Sequence, residues 1–267
     1  MQAFDTARLI LVFVFMVIVL AKLIAKLFFK GNAMTTKFIA RTAIFAAFSI
    51  ILYTIPFLKF SLPIFPGFLE IHLDEIPAFM AGFAYGPLSG FLVILVKTIV
   101  KLPITGTAGV GELADFIYST LFVLPAAFIY KKKRTLKGAL IGLGVATVVQ
   151  IIGASFITTF VMLDAYSYLY HLPKVAILGM CQKINPAVKD LTWPFLLMVA
   201  LPFNALKDAI VVVVTALLYK RLRLLFKKID AQKKLGQSRP SFLLYFTLQQ
   251  RLHQLGIRQL RLHQLRL

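Results

Sequence analysis

The sequence predicts an all-α membrane protein, a compact bundle of six transmembrane helices with a candidate extra hydrophobic helix at the N-terminus. Three observations predict it. Of the 267 residues, 60% are hydrophobic and the mean hydropathy is +0.85, too apolar for an ordinary soluble domain. The apolar residues fall in successive runs, several close to the roughly 20 residues that cross a bilayer. The net charge of +20 sits in short clusters between those runs, which suits cytoplasmic membrane loops better than a nucleic-acid surface. No nucleic-acid partner is therefore expected. Cys181 is the only cysteine, so neither a disulfide framework nor a thiol metal site is expected.

Residues 1–33 form an N-terminal extension. Its apolar part, Leu9 to Ala21, is only 13 residues before Lys22 and Lys26 interrupt it. It reads as an added helix, a signal-like segment, or sequence upstream of a start at Met34. The basic residues follow the apolar part, the wrong order for a secretory signal, so a dispensable extra helix is favoured. The membrane domain is placed at 34–228.

Residues 36–58 make the first core span. Ala43 and Ala47 lie four apart on it, and such small-residue spacing lets helices approach closely in lipid. Alanine is also common in membrane helices, so the spacing alone assigns no contact. Residues 59–73 are an apolar loop broken by Pro63, Pro66 and Gly67. Its Ile64, Phe65 and Phe68 suit a lid beside a membrane mouth. Asp74 then resembles an N-cap, with Pro77 just inside the first turn. Spans at 76–85 and 87–104 follow, separated by Tyr85-Gly86-Pro87, and Lys97 and Lys101 share a face of the second. Further spans are expected at 113–130, 138–161 and 195–219, with a long polar-aromatic connection from Met162 to Trp193. Residues 229–267 read as a basic Leu/Gln-rich tail, disordered or amphipathic. In it RLHQL occurs at 251–255 and again at 261–265.

Orientation follows from Lys and Arg in the connections. The 131–137 loop holds five, and residues 220–234 hold seven. Both belong inside, as do Lys37 and Arg41 at the start of the first core span. Six spans then put the loops at 59–73, 105–112 and 162–194 outside.

Ten acids occur in the chain, and five are Glu70, Asp74, Glu75, Glu112 and Asp115. Charges at membrane depth are costly and face a cavity or a partner. The segment Lys101 to Ser119, KLPITGTAGVGELADFIYS, is too rich in Gly and Thr at its centre to be one helix. It reads as one wall of a binding site. In the last span, Asn204 and Lys207 are three apart and share a helical face. They suit a polar ligand with carbonyls or ring nitrogens. Alternatively, Lys207 pairs with Glu112 or Asp208 to hold the bundle. No HExxH, GxSxG, P-loop or Cys/His cluster is present, so no enzyme is expected. GTAGVG at 106–111 lacks the GK[ST] ending of a phosphate loop.

Taken together, IPFLKFSLPIFPGFLEIHLDEIPAFMAGFAYGPLSG (55–90), KLPITGTAGVGELADFIYS (101–119), the basic loop after the fourth span and LPFNALKD (201–208) closely resemble the riboflavin-specific S component of energy-coupling factor (ECF) transporters. The resemblance covers about 36–225. It implies a six-helix subunit that captures riboflavin from outside at the cell membrane. Asn204 and Lys207 would meet the isoalloxazine edge, and Glu112 would support them, with Thr107 and Gly111 in the same motif. The loop bearing Ile64, Phe65 and Phe68 would cover the ligand. Ala43 and Ala47 would dock on a shared transmembrane coupling subunit, with energy from two ATPase subunits. No cofactor and no metal is implied; riboflavin is the transported ligand. The vitamin's identity rests on the resemblance alone. The competing readings are an S component for another vitamin and a self-sufficient secondary transporter.

Overall fold

The computed structural model describes residues 35–237, with side chains to residue 221. The expectations for 1–33 and for the tail beyond 237 lie outside the described residues.

Helix α1, Thr36–Thr54, starts where the Thr35 side chain accepts from the Phe38 amide at 3.2 Å, a regular N-cap. Its buried residues are Thr42, Ala46, Ser49 and Tyr53, a single stripe at helical spacing. Ala43 and Ala47 lie on the exposed side. This helix is peripheral: 22% of its apolar window is buried, against 67% for α4, Val110–Lys132, at the centre.

The chain then folds back into the bundle. Phe60 and Ile71 form an antiparallel bridge, and Ile71 is fully buried. This return sets the start of α2, Glu75–Tyr85. At 11 residues and about 1.5 Å per residue, α2 is about half the length needed to cross a bilayer core of roughly 30 Å. Among the described residues five helices are long and apolar enough to cross; α2 is the short sixth member. Asp74, just before it, and Glu75, its first residue, are completely buried. Asp74 stands at the N-cap position but its side chain does not cap. Its carboxylate is drawn to Lys97 and His72 instead.

Gly86 turns the chain at a φ of 103°, in the left-handed region that glycine adopts freely. Helix α3, Pro87–Lys101, then runs back out and ends in a 3₁₀ turn, Leu102–Ile104. The guanidinium of Arg41 lies 5.7 Å from the centre of the Tyr85 ring, so the end of α2 sits beside the start of α1. Helix α5, Leu136–Ile157, packs along α4. A Cβ at Gly142 would stand 2.9 Å from the Ala126 carbonyl, so glycine is what lets those two backbones meet.

Helix α5 does not stop at 161 as expected. It widens into a π segment, Thr158–Met162, and continues as α6, Leu163–Leu169. Its apolar run ends near Leu163, but the helix persists and carries Tyr166 to the cavity mouth. Helix α7, Lys174–Gln182, follows within the outer connection. A helical turn at Trp193–Phe195 and a second π segment, Leu196–Ala200, lead into α8, Leu201–Gln237.

Candidate functional site

The loop between α3 and α4 is built by its threonines. Thr105 Oγ1 accepts from the amides of Thr107 and Gly109, each at 3.1 Å, and donates to Glu112 Oε2 at 2.5 Å. Thr107 Oγ1 donates to the same carboxylate oxygen at 3.1 Å and accepts from the Gly111 amide at 3.0 Å. Ala108 and Gly109 both have positive φ, 52° and 83°, which turns the loop sharply into α4. At Gly111 a Cβ would fall 2.8 Å from Thr107 Oγ1. The Gly/Thr composition is therefore a scaffold that fixes Glu112.

A charge network lies beneath this loop. Lys97 on α3 is completely buried. Its ammonium pairs with Asp74 and with Asp115 Oδ2 at 2.8 Å, and donates to Ser119 Oγ at 3.0 Å. His72 meets Asp74 through Nδ1 and lies 3.6 Å from Asp115 Oδ1 through Nε2. Lys207 pairs with Glu75 Oε1 at 2.7 Å. Neither Glu112 nor Asp208, the two partners expected for Lys207, forms an ion pair with it among the described residues. His72, Asp74, Glu75 and Asp115 come within 4.8 Å of one another. Such spacing can hold a metal ion, but here the Lys97 and Lys207 ammoniums supply the positive charge. Burial, reinforced by Lys207, pushes the His72 imidazole down to about 4, so it is neutral at pH 7.

The network is tied to the outer rim and to α1. Ser49 Oγ donates to the Asp74 carbonyl at 2.7 Å. The Tyr53 ring has the ammoniums of Lys97, Lys59 and Lys101 at 4.9, 5.0 and 5.8 Å from its centre. Each is within the range of a cation–π contact.

These parts surround a cavity of about 600 Å³. Six of the residues singled out in the sequence line it: Asn204, Lys207, Glu112, Thr107, Gly111 and Phe68. Two do not. Ile64 is exposed, and Phe65 is buried edge-on against Phe203 at 5.4 Å. The prolines that break the loop carry Phe65 inward to the core and leave Ile64 on the outer surface. The 101–119 wall read from the sequence brings Asp115 and Tyr118 to the cavity as well, but sequence reasoning missed Tyr53, Thr158 and Tyr166, and Lys97 as the hub behind them. A signal existed for Lys97: a charge in the middle of VILVKTIV is as costly as the acids that drew notice.

Comparison with known proteins follows this geometry. Residues 37–219 match the family described as the ECF transporter substrate-specific component. The chain is 32% identical over 181 residues to the riboflavin transporter RibU of Staphylococcus aureus, covering 68% of this chain and 89% of that protein. It is 30% identical over 188 residues to the riboflavin transporter FmnP of Bacillus subtilis, covering 69% and 93%. A solved S component of a bacterial ECF transporter aligns with a TM-score of 0.55 at 30% identity, over 72% of this chain and 98% of that one. The chain is a membrane protein and belongs to the family of ECF transporter substrate-specific components.

Proposed function

We propose that this chain captures riboflavin at the outer face of the cell membrane and delivers it through a shared transmembrane coupling subunit driven by two ATPase subunits. Residues 34–228 would form the capturing domain. The observation that carries this reading is the cavity itself. Its volume of about 600 Å³ falls in the roughly 300–1,000 Å³ range of small-molecule sites. Its wall joins apolar and aromatic surface from Phe68, Leu69, Ile104 and Phe203 to a few polar groups. A flavin has that character, a large apolar ring system with polar atoms along one edge. The naming of both curated relatives as riboflavin transporters supports the same vitamin.

In this reading Asn204 and Lys207 meet the polar edge of the ring. Thr107, Gly111 and Glu112 hold the opposing loop, and Phe68 covers the ring. Ile64 and Phe65 support the lid from outside the cavity. Ala43 and Ala47, exposed on α1, form the docking face for the coupling subunit.

Purified protein carrying the vitamin should be yellow. Losing a buried hydrogen-bond partner costs roughly 1–3 kcal/mol, about 5- to 150-fold in affinity. Asn204→Ala and Lys207→Ala should each weaken riboflavin binding by at least about fivefold on that scale, measured by calorimetry or flavin fluorescence quenching. Unchanged affinity in both variants would leave Lys207 as a structural partner of Glu75 and defeat the site assignment.

A further inference from the structure

Asn204 is not free to choose which end of its amide faces the cavity. Its Nδ2 donates to the Ala200 carbonyl at 2.9 Å and to Ser155 Oγ on α5 at 3.0 Å. A side-chain amide nitrogen carries two hydrogens, so both are committed. The Ala200 carbonyl can only accept, and turning the amide over would set oxygen against oxygen. The atom left to the cavity is Oδ1, which has no donor among the described residues. It is purely an acceptor. Lys207, three residues on and also on the cavity wall, is purely a donor.

Ser155 stands behind this wall. It is completely buried and does not line the cavity. Its own carbonyl accepts from Thr159 Oγ1 at 2.8 Å, which ties it into the π segment that follows α5.

We propose that Ser155 is a positioning residue for ligand selection. The Ala200 carbonyl sets the direction of the Asn204 amide, and Ser155, taking its second hydrogen, holds it there, so the wall presents an acceptor beside a donor, which selects a heterocycle with a ring N–H next to a carbonyl oxygen. The imide edge of a flavin has that pattern, with N3–H between two carbonyls. The inference rests on the riboflavin reading above and adds to it the polarity of the contact and the residue that steadies it.

The test uses the full chain with riboflavin and its N3-methyl derivative, followed by fluorescence quenching. The wild-type protein should bind riboflavin at least about fivefold more tightly than the methylated ligand, the low end of one buried hydrogen bond. In Ser155→Ala that ratio should fall at least about threefold, through weaker riboflavin binding with the methylated ligand little changed. Ser155→Thr keeps the hydroxyl and should restore the ratio. Equal affinities in the wild type overturn the proposal, and that comparison stands even where Ser155→Ala fails to fold. Parallel weakening of both ligands in Ser155→Ala also overturns it, because packing alone would then be the role of Ser155. A wild-type protein that binds neither flavin rejects the riboflavin reading as well.

Discussion

The two halves of the bundle, outer and inner in the orientation that the lysine-rich loops predict, are held by different physics. In the outer half, His72, Lys207, Glu112 and Asp115 line a cavity, with Lys97, Asp74 and Glu75 buried behind them. In the inner half, Phe83, Tyr130 and Tyr219 interlock, with Phe83 4.8 Å from Tyr130 and 5.7 Å from Tyr219, centre to centre. The two tyrosine hydroxyls meet at 3.0 Å. Phe79 and Phe122 continue the ring cluster, edge to face at 4.8 Å. Water cannot drive helices together inside lipid, so close packing must do it, and the inner half supplies that packing. The outer half gives up packing for a cavity and holds its helices with charge pairs. What differs is tolerance: a pair of buried charges fails abruptly when one partner is removed, and a ring cluster loses contacts by degrees.

The comparison is sharpest at Lys97. Lys97→Met leaves Asp74 and Asp115 without their main counter-charge, and breaking a buried pair costs about 3–5 kcal/mol. Thermal melting in detergent should drop accordingly and riboflavin binding should disappear. A variant with wild-type melting would show that the network is dispensable. Phe83→Ala acts on the other half. Its cost should sit at the lower end of the roughly 3–5 kcal/mol for burying no ring in place of one, because lipid is already apolar. Protein that remains folded should keep its flavin affinity, and a large affinity loss would mean the halves are not separable.

Acid should act on the outer half through His72. Its folded value of about 4 lies below the ordinary 6.5, so the unfolded chain takes up the proton first as pH falls. The His72 contribution to stability is full above about 6.5 and is lost as pH falls from there through about 4. Melting at pH 7.5 and 4.5 measures it, and His72→Gln should flatten the difference. The smallest effect on the isolated subunit is expected at α1. Ala47→Trp should change stability by no more than about 0.5 kcal/mol and leave flavin binding intact. It should abolish uptake by the assembled transporter; loss of binding instead would reject the docking face.

Much of this was legible in the residues because membrane folds constrain sequence severely. Apolar run length marked the crossing helices, and the lysine-rich loops marked their orientation. The acids at 70–115 marked the site because a carboxylate in an apolar run has few reasons to be there. Pairing was not legible. Lys207 finds Glu75 rather than Asp208 because helical spacing tells which face a residue occupies and nothing about what that face meets. Asp208 ends with neither carboxylate oxygen hydrogen-bonded among the described residues. The short length of α2 was legible in the run at 76–85, but its depth was hidden for a related reason. A Pro-rich loop shows that helix stops, but the depth to which it re-enters depends on the Phe60–Ile71 bridge, which no local pattern announces.

The two π segments, Thr158–Met162 and Leu196–Ala200, touch each other and lie close to Ser155 and Asn204. A π turn amounts to one residue inserted into an α-helix. Deleting a single residue from 196–200 would restore regular winding and rotate everything before it by about 100°, one residue's step. Phe195 would leave the core it shares with Leu163 and Ile177, and Trp193 would leave Phe156 and Phe160. The length of the chain at that point is therefore under as strict a constraint as its composition. A one-residue gap there would misalign the outer connection against a binding face left in register.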